Sequence, residues 1–328
     1  MSEEKDIWAI TTYFNPLHYQ SRLKNYKQFR RNLALRLCTV EHSLNGNYEL
    51  NNEDAEILIS VCSKDLLWQK ERLLNLALNK LPHDAKIIVW LDCDVVFSNK
   101  NWHFELHHKL QNIPVLQCYS ELVDLAQGAE LDTLIGTKIP ANGISIASVV
   151  KTNAIELSIS TLIDNESMRG ASPGGAWAAH RSLLQRHGFY DAMILGGGDR
   201  LFAYACLGKI EDAISIARLD NARAEHYRRW AEPFFDTVNG QVGVIDGQLL
   251  HLWHGSISDR QYILRHKALN KIQFDLYRDI ELDESGAWKW TPSASQELKQ
   301  LVTSYFAARS EDGRTENLSV NFQIIDDK

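Results

Sequence analysis

Two aspartates one residue apart interrupt an otherwise apolar stretch in the first third of the chain. From residue 87 the sequence runs Ile-Ile-Val-Trp-Leu, then Asp92-Cys-Asp94, and then Val-Val-Phe. Charged side chains inside a buried strand cost free energy unless they are paired or bound to a cation. The stretch therefore predicts a central parallel strand over residues 86–91, with Asp92 and Asp94 at its carboxyl end, where open α/β sheets collect their ligands.

The two carboxylates have more than one interpretation. Oxygen ligands of this kind suit Mg²⁺ or Mn²⁺, which often bind together with a phosphate group. An aspartate after a strand is also commonly a helix cap or a surface charge. The local sequence leaves both interpretations open.

The pattern along the first half of the chain predicts the fold class. Short apolar runs over 7–13 and 57–62 indicate strands, and helical spacing covers 17–37 and 68–80. Strands alternating with helices predict an α/β fold with a mixed, mostly parallel central sheet flanked by helices. We expect a catalytic domain over 1–275 and a polar appendage over 276–328, with one helix at 296–308 and no recognisable chemistry.

Composition excludes several classes of protein. The chain has 328 residues, of which 45% are hydrophobic and 23% charged, which is ordinary for a globular protein. A net charge of -7 without a concentrated basic block argues against a nucleic-acid partner. Five scattered cysteines indicate buried thiols in a reducing compartment. With no signal peptide or transmembrane run, we expect a cytoplasmic protein, and peripheral contact with a membrane is left open.

Two glycine clusters in the second half suggest a ligand pocket. Gly174 and Gly175 allow the backbone to approach a bulky ligand, and Trp177 offers an aromatic face of the kind on which sugars stack. A second run, Gly196-Gly-Gly198, delivers Asp199 to the start of a helix predicted over 201–207. Asp199 is a candidate general base, although the local sequence by itself favours a role as the N-cap of that helix, and a tryptophan such as Trp177 is more often a core residue than a platform for a sugar.

An apolar strand predicted over 243–251 ends in two histidines, His251 and His254. One imidazole there would complete the coordination of a cation already held by carboxylates, and Arg260, Arg265 and Lys267 downstream would meet phosphate oxygens. A satisfied core histidine is the alternative interpretation.

These three motifs, in this order, resemble the metal-dependent glycosyltransferases with the GT-A fold, over about Trp8 to Lys267. The segment from Trp68 to Asp94 is similar to the nucleotide-binding helix and D-x-D strand of the β-1,4-galactosyltransferases. Gly174 to Asp199 is similar to the acceptor and donor-sugar segment that those enzymes share with polypeptide N-acetylgalactosaminyltransferases. The pair His251 and His254 falls where the family places its last metal ligand.

The resemblance implies a nucleotide-diphosphate sugar donor, with a UDP-sugar favoured, a glycan or other hydroxyl acceptor, and Mn²⁺ or Mg²⁺ on the donor diphosphate. It implies Asp199 as the base for inversion at the anomeric carbon. Arg200 stands where the galactosyltransferase-like motif has another acid, and retaining relatives share the D-x-D site, so the stereochemical outcome stays open. The implied metal ligands are Asp92, Asp94, His251 and His254, with His254 ahead of His251, and the implied nucleotide and sugar contacts are Thr11, Tyr13, Arg72, Asn75, Asp92, Gly174, Gly175 and Trp177.

Two other classes of protein fit parts of the pattern. An apolar strand followed by D-x-D also opens the haloacid-dehalogenase phosphatases, but there it usually follows the first strand, whereas Asp92 follows two predicted strands. A GT-A-like module that binds a sugar nucleotide or glycan without turnover is the other alternative. The base, sugar and acceptor depend on pocket shape, and a role in polysaccharide biosynthesis is an expectation without a motif of its own.

Overall fold

A computed structural model describes residues 3–152, 171–262 and 264–313 of the chain. Two stretches lie outside the described residues. One is the part of the predicted appendage after residue 313, and the other is residues 153–170 of the segment that resembles the GT-A glycosyltransferases. Within the described residues, no helix combines the length and apolar character needed to cross a membrane.

A seven-stranded sheet forms the centre of the molecule. In spatial order it contains β10, β6, β9, β4, β1, β2 and β3. Only β9 runs antiparallel to its neighbours β4 and β6, while the other pairs are parallel. The predicted mixed, mostly parallel sheet is confirmed. The strands of this sheet are β1 (Ile7–Phe14), β2 (Arg36–Ser43), β3 (Ile57–Cys62), β4 (Ile87–Leu91), β6 (Val115–Gln117), β9 (Ala176–His180) and β10 (Val242–Val244).

A smaller sheet of four strands lies at the carboxyl end of β4. Its spatial order is β5, β11, β7 and β8, where β11 pairs antiparallel with β5 and parallel with β7. A separate two-stranded ribbon is formed near the end of the described chain. These strands are β5 (Val95–Phe97), β7 (Glu121–Asp124), β8 (Gly143–Ile144), β11 (Gln248–His251), β12 (Ile280–Leu282) and β13 (Trp288–Trp290).

Helices flank the sheets, and short 3-10 turns occur at Glu3–Asp6, Trp102–Glu105 and Ser258–Arg260. Apolar side chains of α2 pack with alternate residues of the central strands, because strand side chains point to opposite faces in turn. The described helices are α1 (Gln20–Asn32), α2 (Lys70–Lys80), α3 (Leu106–Leu110), α4 (Leu131–Leu134), α5 (Ile146–Lys151), α6 (Arg181–His187), α7 (Gly198–Cys206), α8 (Ile210–Ile216), α9 (Asn221–Val238), α10 (Leu264–Ile272), α11 (Leu276–Asp279) and α12 (Gln296–Ala308).

The helix predicted over 17–37 is shorter than expected, and the strand that follows it was missed. The helix α1 ends at Asn32, and the leucines at 33, 35 and 37 alternate with a period of two as the chain enters β2. The helix predicted at 296–308 is confirmed as α12. Four cysteines are buried free thiols as expected, whereas Cys62 is exposed.

The segment after residue 275 shares a hydrophobic core with residues much earlier in the chain. Leu298, Val302 and Tyr305 of α12 belong to the same apolar cluster as Leu67 and Leu195. This packing places the end of α12 and the residues after it beside the carboxyl edge of the central sheet. The boundary predicted at residue 275 crosses this shared core.

Candidate active site

The D-x-D pair lies at the carboxyl end of β4, as the sequence predicted. The backbone N–H of Asp92 donates to Gly175 O at 2.9 Å, and Gly175 N–H donates to Asp92 Oδ2 at 3.2 Å. Asp94 precedes β5, whose residue Val95 is the antiparallel register partner of His251 on β11. Strand pairing in the small sheet therefore brings the histidine motif beside the second aspartate.

Asp94, His251 and His254 form a group with the composition of a metal site. Their ligand atoms lie within 4.8 Å of one another. His254 Nε2 is 2.9 Å from Asp94 Oδ2, His251 Nε2 is 3.8 Å from Asp94 Oδ1, and the two Nε2 atoms are 3.1 Å apart. Two imidazole nitrogens and a carboxylate oxygen converging on one point form a donor set that a divalent cation would satisfy.

The pKa shifts in this group favour metal-binding protonation states. Burial would raise the pKa of Asp94, but His254, His251 and Arg22 together hold it well below its usual range. Burial and the guanidinium of Arg260 lower the pKa of His254. An ionised carboxylate beside a neutral imidazole is what cation coordination requires.

Asp124 supports the group and was not predicted from the sequence. It is the register partner of His251 on the parallel strand β7, and its Oδ1 accepts a hydrogen bond from His251 Nδ1 at 2.8 Å. The only local signal is an acidic residue at the end of the short run Glu121-Leu-Val-Asp124. Its role becomes visible once the pairing of β7 with β11 is known.

Lys70, on the first turn of α2, joins two further acidic residues of the cleft, Asp92 and Asp199. Its Nζ lies 2.5 Å from Asp92 Oδ1 and 2.8 Å from both carboxylate oxygens of Asp199. Burial disfavours the charged ammonium, but Asp199 and Asp92 outweigh it and hold the pKa of Lys70 well above its usual range. Lys70 is thus a permanent cation between the D-x-D pair and the candidate base.

Asp199 faces the cleft from the first turn of α7. The helix begins at Gly198 with Gly197 at the cap position, so Asp199 lies inside the helix and its carboxylate bonds Lys70 instead of capping the backbone. A Cβ on Gly174 would lie 3.0 Å from Asp199 Oδ2, which shows how closely the first glycine cluster approaches the acid. Burial raises the pKa of Asp199, and the carboxylate of Asp92 raises it further. The ammonium of Lys70 acts in the opposite direction but does not cancel the rise.

One cleft contains most of the predicted polar residues. It is lined by Asp92, Asp94, His251, His254, Asp199, Gly174 and Gly175, all of which the sequence singled out. The cleft is also lined by residues that the sequence analysis did not propose for the site, namely Lys70, Asp124, Thr12, Phe14 and Trp68. His251 is the last residue of β11 and His254 follows that strand, and β11 is separate from β10 rather than part of one continuous strand over 243–251.

The two residues of β1 predicted to line the nucleotide pocket point away from the cleft. Thr11 is fully buried and donates to Leu91 O at 2.6 Å, and Tyr13 bonds Glu49 Oε2 at 2.5 Å. Thr12 and Phe14 line the cleft in their place. The predicted positions differ by one residue from those on the cleft face, because side chains alternate along a strand.

Arg72 and Asn75 make structural contacts away from the cleft. Arg72 donates to Gly286 O at 2.6 Å and to Asp191 at 3.1 Å, and Asn75 bonds the backbone of Phe189 through both its oxygen and its nitrogen. These bonds connect α2 to the segments that pack on it. Neither residue lines the cleft, whereas Lys70 from the same helix does.

Trp177 belongs to the core and offers no face to a sugar. Its side chain is 1% exposed, it stacks on Trp90, and its Nε1 donates to Pro173 O at 2.9 Å. Trp68 is one of the aromatic side chains that do line the cleft, and it stacks on Phe306 with ring centroids 6.3 Å apart. The core interpretation of Trp177 is the one that its burial supports.

The end of the described chain contributes charged groups to the cleft. Glu311 is 2% exposed and binds Arg22 at 2.6 Å and Arg309 at 2.5 Å, and its Oε2 lies 3.6 Å from His254 Nδ1. Arg260, from the loop after β11, places a guanidinium nitrogen 2.7 Å from His254 Nε2. The segment predicted to carry no chemistry therefore forms part of the wall beside the metal group.

No protein-family model and no curated protein matches this sequence. Solved structures do match. Staphylococcus aureus TarS, residues 1–349 with UDP-GlcNAc, matches 97% of this chain and 76% of its own at 11% identity and a TM-score of 0.38. A mutant Drosophila β1,4-galactosyltransferase 7 with manganese, UDP-Gal and xylobiose matches 63% of this chain and 61% of its own at 11% identity and a TM-score of 0.31. A 4-diphosphocytidyl-2C-methyl-D-erythritol synthase from Anaerococcus prevotii matches 93% of this chain and 97% of its own at 8% identity and a TM-score of 0.35.

One of these proteins is a β1,4-galactosyltransferase, the kind of enzyme that the sequence motifs resemble. This chain spans less than two thirds of the galactosyltransferase chain. At such identities and TM-scores the likeness alone assigns no activity, and the side chains of the cleft have to indicate the chemistry.

Proposed function

We propose that this protein is a metal-dependent glycosyltransferase that moves a sugar from a nucleotide-diphosphate donor to a hydroxyl group of an acceptor. The observation that carries the proposal is the convergence of Asp94, His251 and His254 in the same cleft as a second, separate acid, Asp199. A cation-binding group and a candidate base are the two devices that such a transfer needs.

Asp94, His251 and His254 would hold the cation, with Asp124 fixing the orientation of His251. Two imidazoles beside one carboxylate favour Mn²⁺ over Mg²⁺, which prefers oxygen ligands and retains several waters. A divalent cation bound there supplies charge stabilisation for the departing nucleoside diphosphate. Asp92, predicted as a further ligand, lies outside this group of three and is paired with Lys70, so we propose that it positions that lysine.

Asp199 would take the proton of the acceptor hydroxyl. Burial raises the pKa of Asp199, which makes its carboxylate a stronger base, while Lys70 keeps that carboxylate ionised and oriented. A base on the acceptor side of the sugar is the arrangement for in-line inversion at the anomeric carbon. Both Asp199 oxygens lie within bonding distance of Lys70, so the acceptor hydroxyl would have to share one of them.

That shared carboxylate is also what favours a second candidate function, a module that binds sugar nucleotides or glycans without turnover. An acid whose two oxygens are both bound at 2.8 Å to a lysine is already neutralised. The cytoplasmic location and a role in polysaccharide biosynthesis stay predictions from the sequence.

Isothermal titration calorimetry with nucleoside diphosphates and their sugars, in Mn²⁺ and in EDTA, tests the proposal. UDP is the first nucleotide to try, because UDP-GlcNAc is the ligand in the similar TarS structure. We expect binding that requires Mn²⁺ and that is lost in Asp94→Ala, with Asp236→Asn, an exposed acid on α9, as the unaffected control.

Donor turnover then separates the candidates. Slow release of UDP from a bound UDP-sugar supports the transferase, and metal-dependent binding with no release in any acceptor mixture supports the binding module. Failure of every nucleotide to bind in Mn²⁺ would contradict the transferase and a module for sugar nucleotides, and would leave only a glycan-binding module.

A further inference from the structure

The cleft carries more positive charge than its own carboxylates neutralise. Lys70 is paired with Asp92 and Asp199, and Arg22 and Arg309 are paired with Glu311. Three more guanidinium groups line the same cleft, from Arg200, Arg260 and Arg265. Across residues 3–152, 171–262 and 264–313, none of these three forms a salt bridge with a carboxylate.

Arg200 is the least satisfied of the three. It follows Asp199 directly on the first turn of α7, and its Nε is buried without a hydrogen-bond partner among the described residues. Burial and the neighbouring guanidinium of Arg265 lower the pKa of Arg200. Two like charges held together out of water are costly unless an anion joins them.

Arg265 lines the same cleft and is held rigidly there. The side chain is 5% exposed, one nitrogen donates to Tyr305 Oη at 2.5 Å, and the guanidinium lies 5.2 Å from the ring centre of Tyr262. Its Nε also lacks a partner in the described structure. A guanidinium fixed by aromatic contacts, with a free donor, is preorganised to bind an oxyanion.

We propose that Arg200 and Arg265 form an anion-binding subsite next to Asp199, and that the acceptor carries a phosphate or carboxylate group near its reacting hydroxyl. This inference rests on the proposed function and names its acceptor class. The guanidinium of Arg260 lies 2.7 Å from His254. We therefore assign Arg260 to the metal group and to binding of the donor diphosphate. Arg200, adjacent to the candidate base in the sequence, belongs to the side on which the acceptor hydroxyl must lie.

The test uses inorganic phosphate and glucose 6-phosphate as probes, with glucose as the uncharged control, titrated calorimetrically into the full chain in EDTA at low salt. We expect both phosphates to bind and glucose not to bind. Arg200→Gln should weaken phosphate binding about tenfold or more. Arg200→Lys, which retains the positive charge but cannot form the two parallel hydrogen bonds of a guanidinium, should weaken it less. Arg229→Gln, an exposed residue of α9, is the matched control. Thermal melting of each variant shows that it is folded.

A second titration separates the acceptor from the donor as the source of the anion. With saturating UDP and Mn²⁺, phosphate should still bind. Displacement of phosphate by UDP and Mn²⁺, or equal phosphate affinity in the wild type and Arg200→Gln, overturns the subsite. Phosphate binding without any nucleotide binding contradicts the proposed transferase, and the acceptor assignment with it, while the anion site itself remains.

Discussion

Asp124 Oδ1 and His251 Nδ1 lie 2.8 Å apart on adjacent parallel strands, as direct register partners. In a neutral His251, donation from Nδ1 to Asp124 leaves the lone pair on Nε2, the nitrogen that faces Asp94 and His254. Carboxylates in this position orient a ligating imidazole and make it more basic. Asp124 is therefore placed to orient His251 toward the proposed cation, and it lies outside the group of three candidate ligands.

Asp124→Asn should lower the affinity for Mn²⁺ about 10- to 100-fold while leaving the fold intact, because the amide no longer fixes the tautomer of His251. Calorimetric titration of Mn²⁺ into the wild type and the variant measures the change. Asp236→Asn provides the control for loss of one acidic charge at a remote exposed position. Equal Mn²⁺ affinities in Asp124→Asn and the wild type would mean that the carboxylate of Asp124 does not contribute to cation binding through His251.

Asp199→Asn should retain metal-dependent donor binding and lose about 10²- to 10⁴-fold in transfer rate, since the amide cannot take the acceptor proton. Lys70 keeps its bond to Asp92 in this variant, which limits damage to the donor side. Steady-state transfer rates together with donor affinities from calorimetry give the two quantities. Full transfer activity would place the base elsewhere and leave Asp199 as a partner of Lys70 only.

Features encoded by neighbouring residues were predictable from the sequence. The strand β4 and its two terminal aspartates follow from an apolar run that stops at charge, and the glycines before Asp199 indicate a close backbone approach. The parallel direction of β1, β3 and β4 follows from the alternation of strands and helices along the chain. None of these inferences requires knowing which distant residues pair.

Features that depend on pairing between distant residues were not predictable. The choice between Thr11 and Thr12 is a choice of strand face, which a shift of one residue reverses. The bond between Arg22 and Glu311 joins residues at opposite ends of the chain, and the match of Asp124 with His251 requires the register of β7 against β11. No local pattern in the sequence carries that information.

Gly198→Ala should destabilise the protein by about 1–3 kcal/mol, the usual cost of overpacking. A Cβ at this position would lie 2.2 Å from Glu71 Oε1 and 2.7 Å from Glu71 Cγ, so the whole buried side chain would have to move. Urea unfolding measures the loss. In a double-mutant cycle, Gly198→Ala should cost less in a Glu71→Ala background. The same cost in both backgrounds would show that the contact with Glu71 is not its cause.

Glu71→Gln should change how stability depends on pH. Glu71 is 6% exposed, and burial, with a contribution from Asp199, raises its pKa from 4.5 to about 8. Between these values the folded state retains a proton that the unfolded state has released, so the free energy of unfolding contributed by this group is complete below pH 4.5 and falls as the pH rises toward 8.

Glutamine cannot ionise, so the variant should gain stability relative to the wild type as the pH increases. Urea unfolding in EDTA from about pH 5 to about pH 8 measures this difference. Glu53→Gln, at an exposed position, should follow the wild type throughout. If the free energies of unfolding of Glu71→Gln and the wild type change in parallel over that pH range, Glu71 is ionised in the folded protein. Its buried carboxylate then adds a negative charge close to Asp199.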